Sequence, residues 1–365
     1  MSAMDFGLFF LMQRDEQWSE QAVYDSDVRQ MLAAESLGYH SVWIAEHHFN
    51  DYGLCPAPPV LASFVAARTS TIRLGMGVSL LPLHHPIDLA EQLAVLDVAS
   101  GGRLDVGIGR GGTLQDYQTF RSERADARLR IEEGIGLMQQ CWTGAPFDFN
   151  GQFHSAERLH VRPRPVQRPH PPLFVAANSE DSVLSAARLG LPTLSSFFVP
   201  VPELQRRRRL YRDTARGAGR TSAEIDALEQ CGGGMRVVHV APDRAEARRT
   251  TEPPFMSYQR RMAALRSDAT GGNVPNSFDR SLLKLRAFDE YLADGWALIG
   301  SPDEVREGLQ RFIDATGYRR VLLLMALPGL DTTHALRSMR LFAERVAPAI
   351  RAPRVLETTV KGDPL

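Results

Sequence analysis

The sequence predicts an α/β protein, a single (β/α)8 TIM barrel, on three observations. Short apolar runs without polar alternation recur along the chain, segments of helical period separate them, and no stretch has the composition of a linker. Strands that are apolar at successive positions are buried on both faces, as in a parallel sheet covered by helices. A closed barrel fills 365 residues as one unit, so one domain is expected over 1–365.

Asp5 to Leu11 reads as the first strand, and the helix after it runs from about Ala22 to Leu37. Val28, Met31 and Leu32 share one face of that helix, and Gly38 stops it. Strand two is Ser41 to Ala45. A turn at Pro56, Pro58 and Pro59 opens a helix reaching about Arg68, and strand three is Ile72 to Leu80. Pro86 starts the next helix, in which Leu89, Leu93 and Leu96 recur at spacings of four and three. Strand four, Arg103 to Gly109, precedes a helix from about Arg124 to Trp142. Asn150-Gly151 between aromatics signals a hairpin near 146–155, inserted into the rhythm.

Strand five is Pro172 to Ala176, with a helix from Glu180 to Leu189 behind it. Strands six and seven are Thr193 to Phe197 and Met235 to Val240. Residues 253–281 hold Pro, Gly, Asn and charge without a clean strand and are expected to be an insertion acting as a mobile lid. Ser301-Pro302-Asp303-Glu304 is a capping box for a helix carrying Val305, Leu309, Phe312 and Ile313. Strand eight, Arg320 to Met325, and a closing helix from Thr332 to Val346 complete the ring.

A formal net charge of −1 gives no global electrostatic case for nucleic acid or a membrane surface. The run Arg206 to Arg209 falls in an expected helix from Glu203 to Arg216, where consecutive residues point to all sides, so a solvated surface is the better reading. The apolar start, Phe6 to Met12, is too short for a membrane span and lacks a signal peptide's basic flank. Cys55, Cys141 and Cys231 lie far apart, which reads as reduced thiols in the cytoplasm.

In such a barrel, functional groups sit at the carboxyl ends of the strands. Glu46-His47-His48-Phe49 follows strand two, and histidine titrates near neutrality. Together with His84-His85 this pair admits a metal reading, but adjacent residues of an extended chain point opposite ways, so no metal is expected. Buried structural histidines remain the plain alternative. After strand four, Gly107-Ile108-Gly109-Arg110-Gly111-Gly112 lets the backbone approach a ligand and supplies a guanidinium suited to phosphate. Its spacing is not the dinucleotide fingerprint. Asn178-Ser179-Glu180-Asp181-Ser182 opens the helix after strand five, either as an ordinary N-cap at Ser179 or as an anion site. A phosphate held at both loops would anchor a cofactor whose ring lies towards His47.

These segments together resemble the bacterial luciferase family of flavin-dependent monooxygenases. The matching stretches are Val42 through Phe49, Leu80-Leu81-Pro82 through His85-Pro86, Leu96-Asp97 through Arg103, and Gly107 through Gly111. Val175 through Ser179, Gly190-Leu191-Pro192 and Gly300-Ser301-Pro302 add to them, so the resemblance covers nearly the whole chain. It implies that His47 is the active-site histidine over the flavin ring, with His48 grouped beside it as catalytic. It also implies a non-prolyl cis peptide at Gly77-Val78 behind the ring, and phosphate binding by Arg110, Arg128, Ser179 and Ser182. Asn178 stands where a luciferase subunit has glutamate, and Gly109 replaces that subunit's reactive cysteine.

The resemblance further implies the chemistry. Reduced FMN from a separate flavin reductase reacts with O2, and the C4a-peroxyflavin oxygenates a small apolar organic substrate. A homodimer through the helices after strands two and three is expected. Phe9, Met12, Leu54 and Phe198 are expected near the ring. A deazaflavin-dependent dehydrogenase and a non-catalytic flavin-binding subunit are the two rival readings.

Overall fold

A computed structural model describes residues 4–111, 113–270 and 285–353. Strand and helix alternate from the start: β1 (Asp5–Phe10), α1 (Glu20–Ser36), β2 (Ser41–Ile44), α2 (Pro58–Ala66), β3 (Arg73–Leu80), α3 (Pro86–Ala99) and β4 (Leu104–Gly109). Two helices, α4 (Leu114–Thr119) and α5 (Ala127–Cys141), precede an antiparallel hairpin of β5 (Phe147–Asn150) and β6 (Ser155–Leu159). The alternation resumes with β7 (Leu173–Ala176), α6 (Glu180–Leu189), β8 (Thr193–Ser195), α7 (Val201–Gly217), α8 (Ser222–Cys231) and β9 (Gly233–Val240). Last come α9 (Arg244–Thr270), α10 (Phe288–Ala293), β10 (Ala297–Gly300), α11 (Pro302–Thr316), β11 (Arg320–Leu324) and α12 (Thr332–Leu341).

Parallel neighbours run β11-β1-β2-β3-β4-β7-β8, and β9 pairs with both β8 and β11. Gly234 of β9 sits opposite Ser195 on one side and Val321 on the other, which closes an eight-stranded barrel. All eight expected barrel strands are present, and the hairpin lies where its aromatic-flanked turn placed it. A ninth parallel strand, β10, pairs with Val237–Val240 and was not foreseen. At four residues it is short, and it follows directly on the segment read as a lid.

The lid expectation is corrected over residues 253–270, which continue α9; residues 271–281 lie outside those described. Phe255, Tyr258 and Met262 recur at helical spacing on α9 and are buried. Burying three such side chains, at about 1.5–3 kcal/mol each, is comparable to the about 3 kcal/mol that each of two prolines costs a helix interior. Pro253 and Pro254 are therefore carried within the helix.

The apolar residues divide into two layers. One packs the outward strand faces against the surrounding helices, as with Leu8, Phe10, Val42 and Ile44. The other fills the barrel interior, where Phe9, Trp43 and Phe174 meet, and continues upward into Phe255 and Tyr258. Trp43 occupies the barrel axis because Gly75 leaves room; a Cβ there would lie 2.1 Å from the indole. Below it the Arg320 guanidinium lies 4.8 Å from the Phe174 ring centre, and Arg73 holds Asp105 through contacts of 2.6 and 3.1 Å. This plug closes the amino end of the strands and leaves the carboxyl end for a site.

Candidate active site

A cavity of about 920 Å3 opens at the carboxyl ends of the barrel strands. Pockets for drug-sized ligands run to roughly 1,000 Å3, so it has room for a nucleotide-sized ligand and a second molecule. His47, Gly77, Val78, Gly109, Arg110, Arg128, Asn178, Ser179 and Ser182 all line it; His48 does not.

His47 stands at the end of β2. Its backbone N–H donates to the Cys55 carbonyl at 3.1 Å, and its ring meets Tyr52 edge-on at 4.9 Å between centroids. Behind it, a Cβ on Gly53 would lie 2.6 Å from the imidazole, so the loop brings bare backbone against the ring. Burial pushes the His47 imidazole down to about 4, outweighing the pull of Glu46 in the other direction, while His48 lowers it further. At neutral pH the ring is therefore uncharged, with one nitrogen able to donate and the other to accept. Neither nitrogen has a hydrogen-bond partner among the described residues.

His48 turns the other way, as alternation along an extended chain requires. It is buried, its Nε2 pairs with Glu46 Oε1 at 3.0 Å, and its ring packs on Phe120 at 4.8 Å. The same Glu46 oxygen meets His84 Nε2 at 2.7 Å, and Oε2 accepts the Leu80 N–H at 3.1 Å. Burial opposes ionisation of Glu46, but its bonds to His48, His84 and Leu80 win, and its carboxyl is held below the ordinary range. His84 moves the opposite way: burial lowers it, and the Glu46 bond and charge more than offset that. One buried carboxylate thus ties the ends of β2 and β3 together.

The floor beside His47 is built by close packing. The Gly77–Val78 peptide is cis, as the resemblance implied, and the β3–β4 register shifts between Met76 and Ser79. A Cβ on Gly109 would lie 2.3 Å from Val78, and one on Gly77 would lie 2.8 Å from Phe9. Only glycines allow these strands to form a smooth, uncharged patch.

The opposite end is polar. Arg110 directly follows β4, Arg128 lies in the first turn of α5, and Arg124, which the sequence reading missed, lines the same cavity. Ser179 caps α6 and shares a reciprocal capping box with Ser182, with N–H to hydroxyl distances of 3.3 and 3.0 Å. The N-cap reading of Ser179 is thus present, and the cap lies on the cavity wall. Glu180 in that first turn is paired with Arg206 at 3.0 Å, which offsets its charge. Asn178 Oδ1 accepts the Ser196 N–H at 3.0 Å and joins the ends of β7 and β8.

Phe9 and Phe198 line the cavity as expected, but Met12 and Leu54 do not. Met12 adopts a left-handed backbone, φ 55°, that carries its side chain into the core. Leu54 packs against the barrel–helix layer, and its carbonyl accepts the Tyr24 hydroxyl at 2.7 Å. Tyr52 and Phe197 were not foreseen as cavity residues. Phe197 follows the end of β8 by two residues, a positional signal that would have found it, whereas Tyr52 lies eight residues beyond β2 in the loop.

Guanidinium groups and serine hydroxyls at one end, a smooth glycine–valine patch in the middle and a neutral histidine beside it suit a phosphate-tethered planar cofactor. The fold and site thus define a barrel of the flavin-binding kind. Residues 4–320 match the family described as luciferase-like monooxygenase, and the chain belongs to that family.

Two relatives and one structure show the range of the likeness. The alkanal monooxygenase alpha chain of Photorhabdus laumondii is 26% identical over 95% of this chain and 98% of its own. The oxygenase component of a flavin-dependent trigonelline monooxygenase from Acinetobacter baylyi is 34% identical, over 49% of this chain and 50% of that protein. The crystal structure of monooxygenase RslO1 from Streptomyces bottropensis superposes with a TM-score of 0.82 at 31% identity, covering 94% of this chain and 99% of that one. No helix among the described residues is long and apolar enough to cross a membrane.

Proposed function

We propose that the chain is the oxygenase component of a two-component monooxygenase, taking reduced FMN from a separate flavin reductase and using O2 to oxygenate a small apolar organic molecule. The observation that carries this reading is the neutral His47 beside the Gly77–Val78 patch, in one cavity with the arginine and serine cluster. Bound reduced FMN supplies two electrons, so that one oxygen atom enters the substrate and the other leaves as water.

The chain's own residues do the rest. Arg110, Arg128, Ser179 and Ser182 take the phosphate by charge-assisted hydrogen bonds. Gly77, Val78 and Gly109 offer the ring a surface without competing polar groups. Asn178 fixes the loop ends between those two regions. His47 accepts or donates a proton at the reacting edge, and His48 acts through Glu46 by holding that loop in place. The aromatic side chains above the floor exclude water from the reacting centre.

The whole chain works as one domain in the cytoplasm, and it pairs as a homodimer through α2 and α3. Val60 and Phe64 of α2 are 69% and 45% exposed, and Val95 and Val98 of α3 are exposed as well.

Rapid mixing of the protein and reduced FMN with oxygenated buffer tests the reading. A transient flavin absorbance that outlives oxidation of free FMN is expected. Reoxidation at the rate of free flavin refutes it, and turnover with a deazaflavin under anaerobic conditions would establish the dehydrogenase instead.

A further inference from the structure

The cavity is electrically divided. Its charged lining groups lie on the segments after β4 and β7 and in the first turns of α7, where Glu203 holds Arg206 and Arg207 at 2.8 and 2.7 Å. Among the described residues that line the wall formed by β1, the loop after β2, the end of β8 and β9 there is no lysine or arginine, and the one carboxylate is Glu46, which His48 and His84 already occupy. A charged substrate on that wall would lose its hydration without gaining a counter-ion, so it is disfavoured.

What the wall offers instead is rings. From His47 the ring of Tyr52 lies 4.9 Å away at 88°, Tyr258 stacks behind Tyr52 at 6.1 Å and 20°, and Phe197 follows at 5.6 Å and 48°. Phe198 closes the arc, 5.4 Å from Phe197 at 85°. Tyr52, Phe197 and Phe198 face the cavity, while Tyr258 is buried behind them on α9 and holds their spacing. Along the arc the successive ring contacts are edge-on, stacked, tilted and edge-on, so both edges and faces are presented. A planar guest meets positive ring edges and negative ring faces at centroid separations of about 4.5–7 Å, which a flexible alkyl chain does not exploit.

We propose that the substrate is an uncharged aromatic molecule, its ring system seated against the arc of Tyr52, Phe197 and Phe198 with its reactive edge towards His47. This rests on the monooxygenase reading for the chemistry, but the ring preference belongs to the wall itself. Aromatic pairing beyond simple burial is worth about two- to tenfold in affinity per ring.

The test is calorimetric titration of the FMN-loaded protein, and separately of the FMN-free protein, with 2-naphthol, 1-octanol and 2-naphthoate. 2-Naphthol is expected to bind at least tenfold more tightly than either of the others. Phe198→Leu and Phe197→Leu are each expected to weaken 2-naphthol about fivefold and to leave 1-octanol within twofold; Phe198 is only partly buried, so its variant reports even if Phe197→Leu folds poorly. Equal or tighter binding of 1-octanol, tight 2-naphthoate, equal losses for both neutral ligands, or no binding of any of the three overturns the proposal. Failure to bind FMN would instead overturn the monooxygenase reading, and the titration of the FMN-free protein would still decide the ring preference.

Discussion

Gly53→Ala isolates the position of His47 from its chemistry. The added Cβ would lie 2.6, 2.7 and 2.9 Å from the Cδ2, Cβ and Cγ atoms of His47. Carbon atoms rest at about 3.5–4.0 Å, so the imidazole must retreat by about 1 Å. Nothing cheaper can move: one of the three crowded atoms is the His47 Cβ itself, and the His47 N–H is fixed to the Cys55 carbonyl. Gly53 has no left-handed backbone, so alanine adds bulk there without backbone strain. A misplacement of about 1 Å in a reacting group lowers rate by roughly 100-fold, and overpacking costs about 1–3 kcal/mol of stability. The assay is the rapid-mixing experiment with reduced FMN, read as the lifetime of the flavin transient and the peroxide released. A lifetime shortened 10- to 100-fold, with FMN affinity within about threefold, is the expected outcome. An unchanged lifetime in a folded Gly53→Ala protein would refute the placement of His47 at the reacting edge.

Four further outcomes follow from the same geometry. His47→Ala should retain FMN binding and lose the transient's lifetime; in the parent that lifetime should be flat near neutrality and fall with acid. The sign is that of a histidine depressed from 6.5 to about 4: its stability contribution is complete above pH 6.5 and is lost as pH falls towards 4, read as melting temperature against pH. Arg128→Ala should weaken FMN about tenfold, a charged hydrogen bond of about 1.5 kcal/mol, and leave riboflavin unaffected, as measured by fluorescence titration. Asp97→Ala removes a buried carboxylate that accepts Val166 N–H, Gln167 N–H and Gln167 Nε2 at 2.7, 3.0 and 2.7 Å. With three donors left unpaired at about 1–3 kcal/mol each, about 3 kcal/mol or more of stability should be lost in denaturant unfolding, with FMN affinity unchanged once folded. Phe64→Glu should convert a dimer to monomer by light scattering without altering FMN binding, because α2 lies outside the cavity.

The barrel was legible because its strands are buried on both faces, so each announces itself as an unbroken apolar run. β10 escaped because four residues are too few to distinguish from a turn beside a helix cap. Pro253 and Pro254 made the start of α9 read as a loop; local preference yielded there to tertiary burial of Phe255, Tyr258 and Met262. At the site, residues at strand ends were readable by position, since a barrel brings those ends to one rim. Alternation separates His47 from His48, but only the assembled loop decides which one faces the cavity. The aromatic arc was out of reach, because Tyr258 joins Tyr52 and Phe197 only when α9 folds across the barrel mouth.

The placement of Glu46 explains how a neutral histidine and a buried carboxylate can be sequence neighbours. An unpartnered anion beside His47 would favour its protonated form, and the ring would lose one of its two roles. Here two other imidazoles, His48 and His84, take up the Glu46 charge within 3.0 and 2.7 Å. His84 is raised by that contact and His47 is lowered by its own burial, so two histidines around one carboxylate are driven apart. The bonds of Glu46 go to His48, His84 and the Leu80 N–H, and it is His84 whose affinity for a proton is raised. His47 is left free to exchange one.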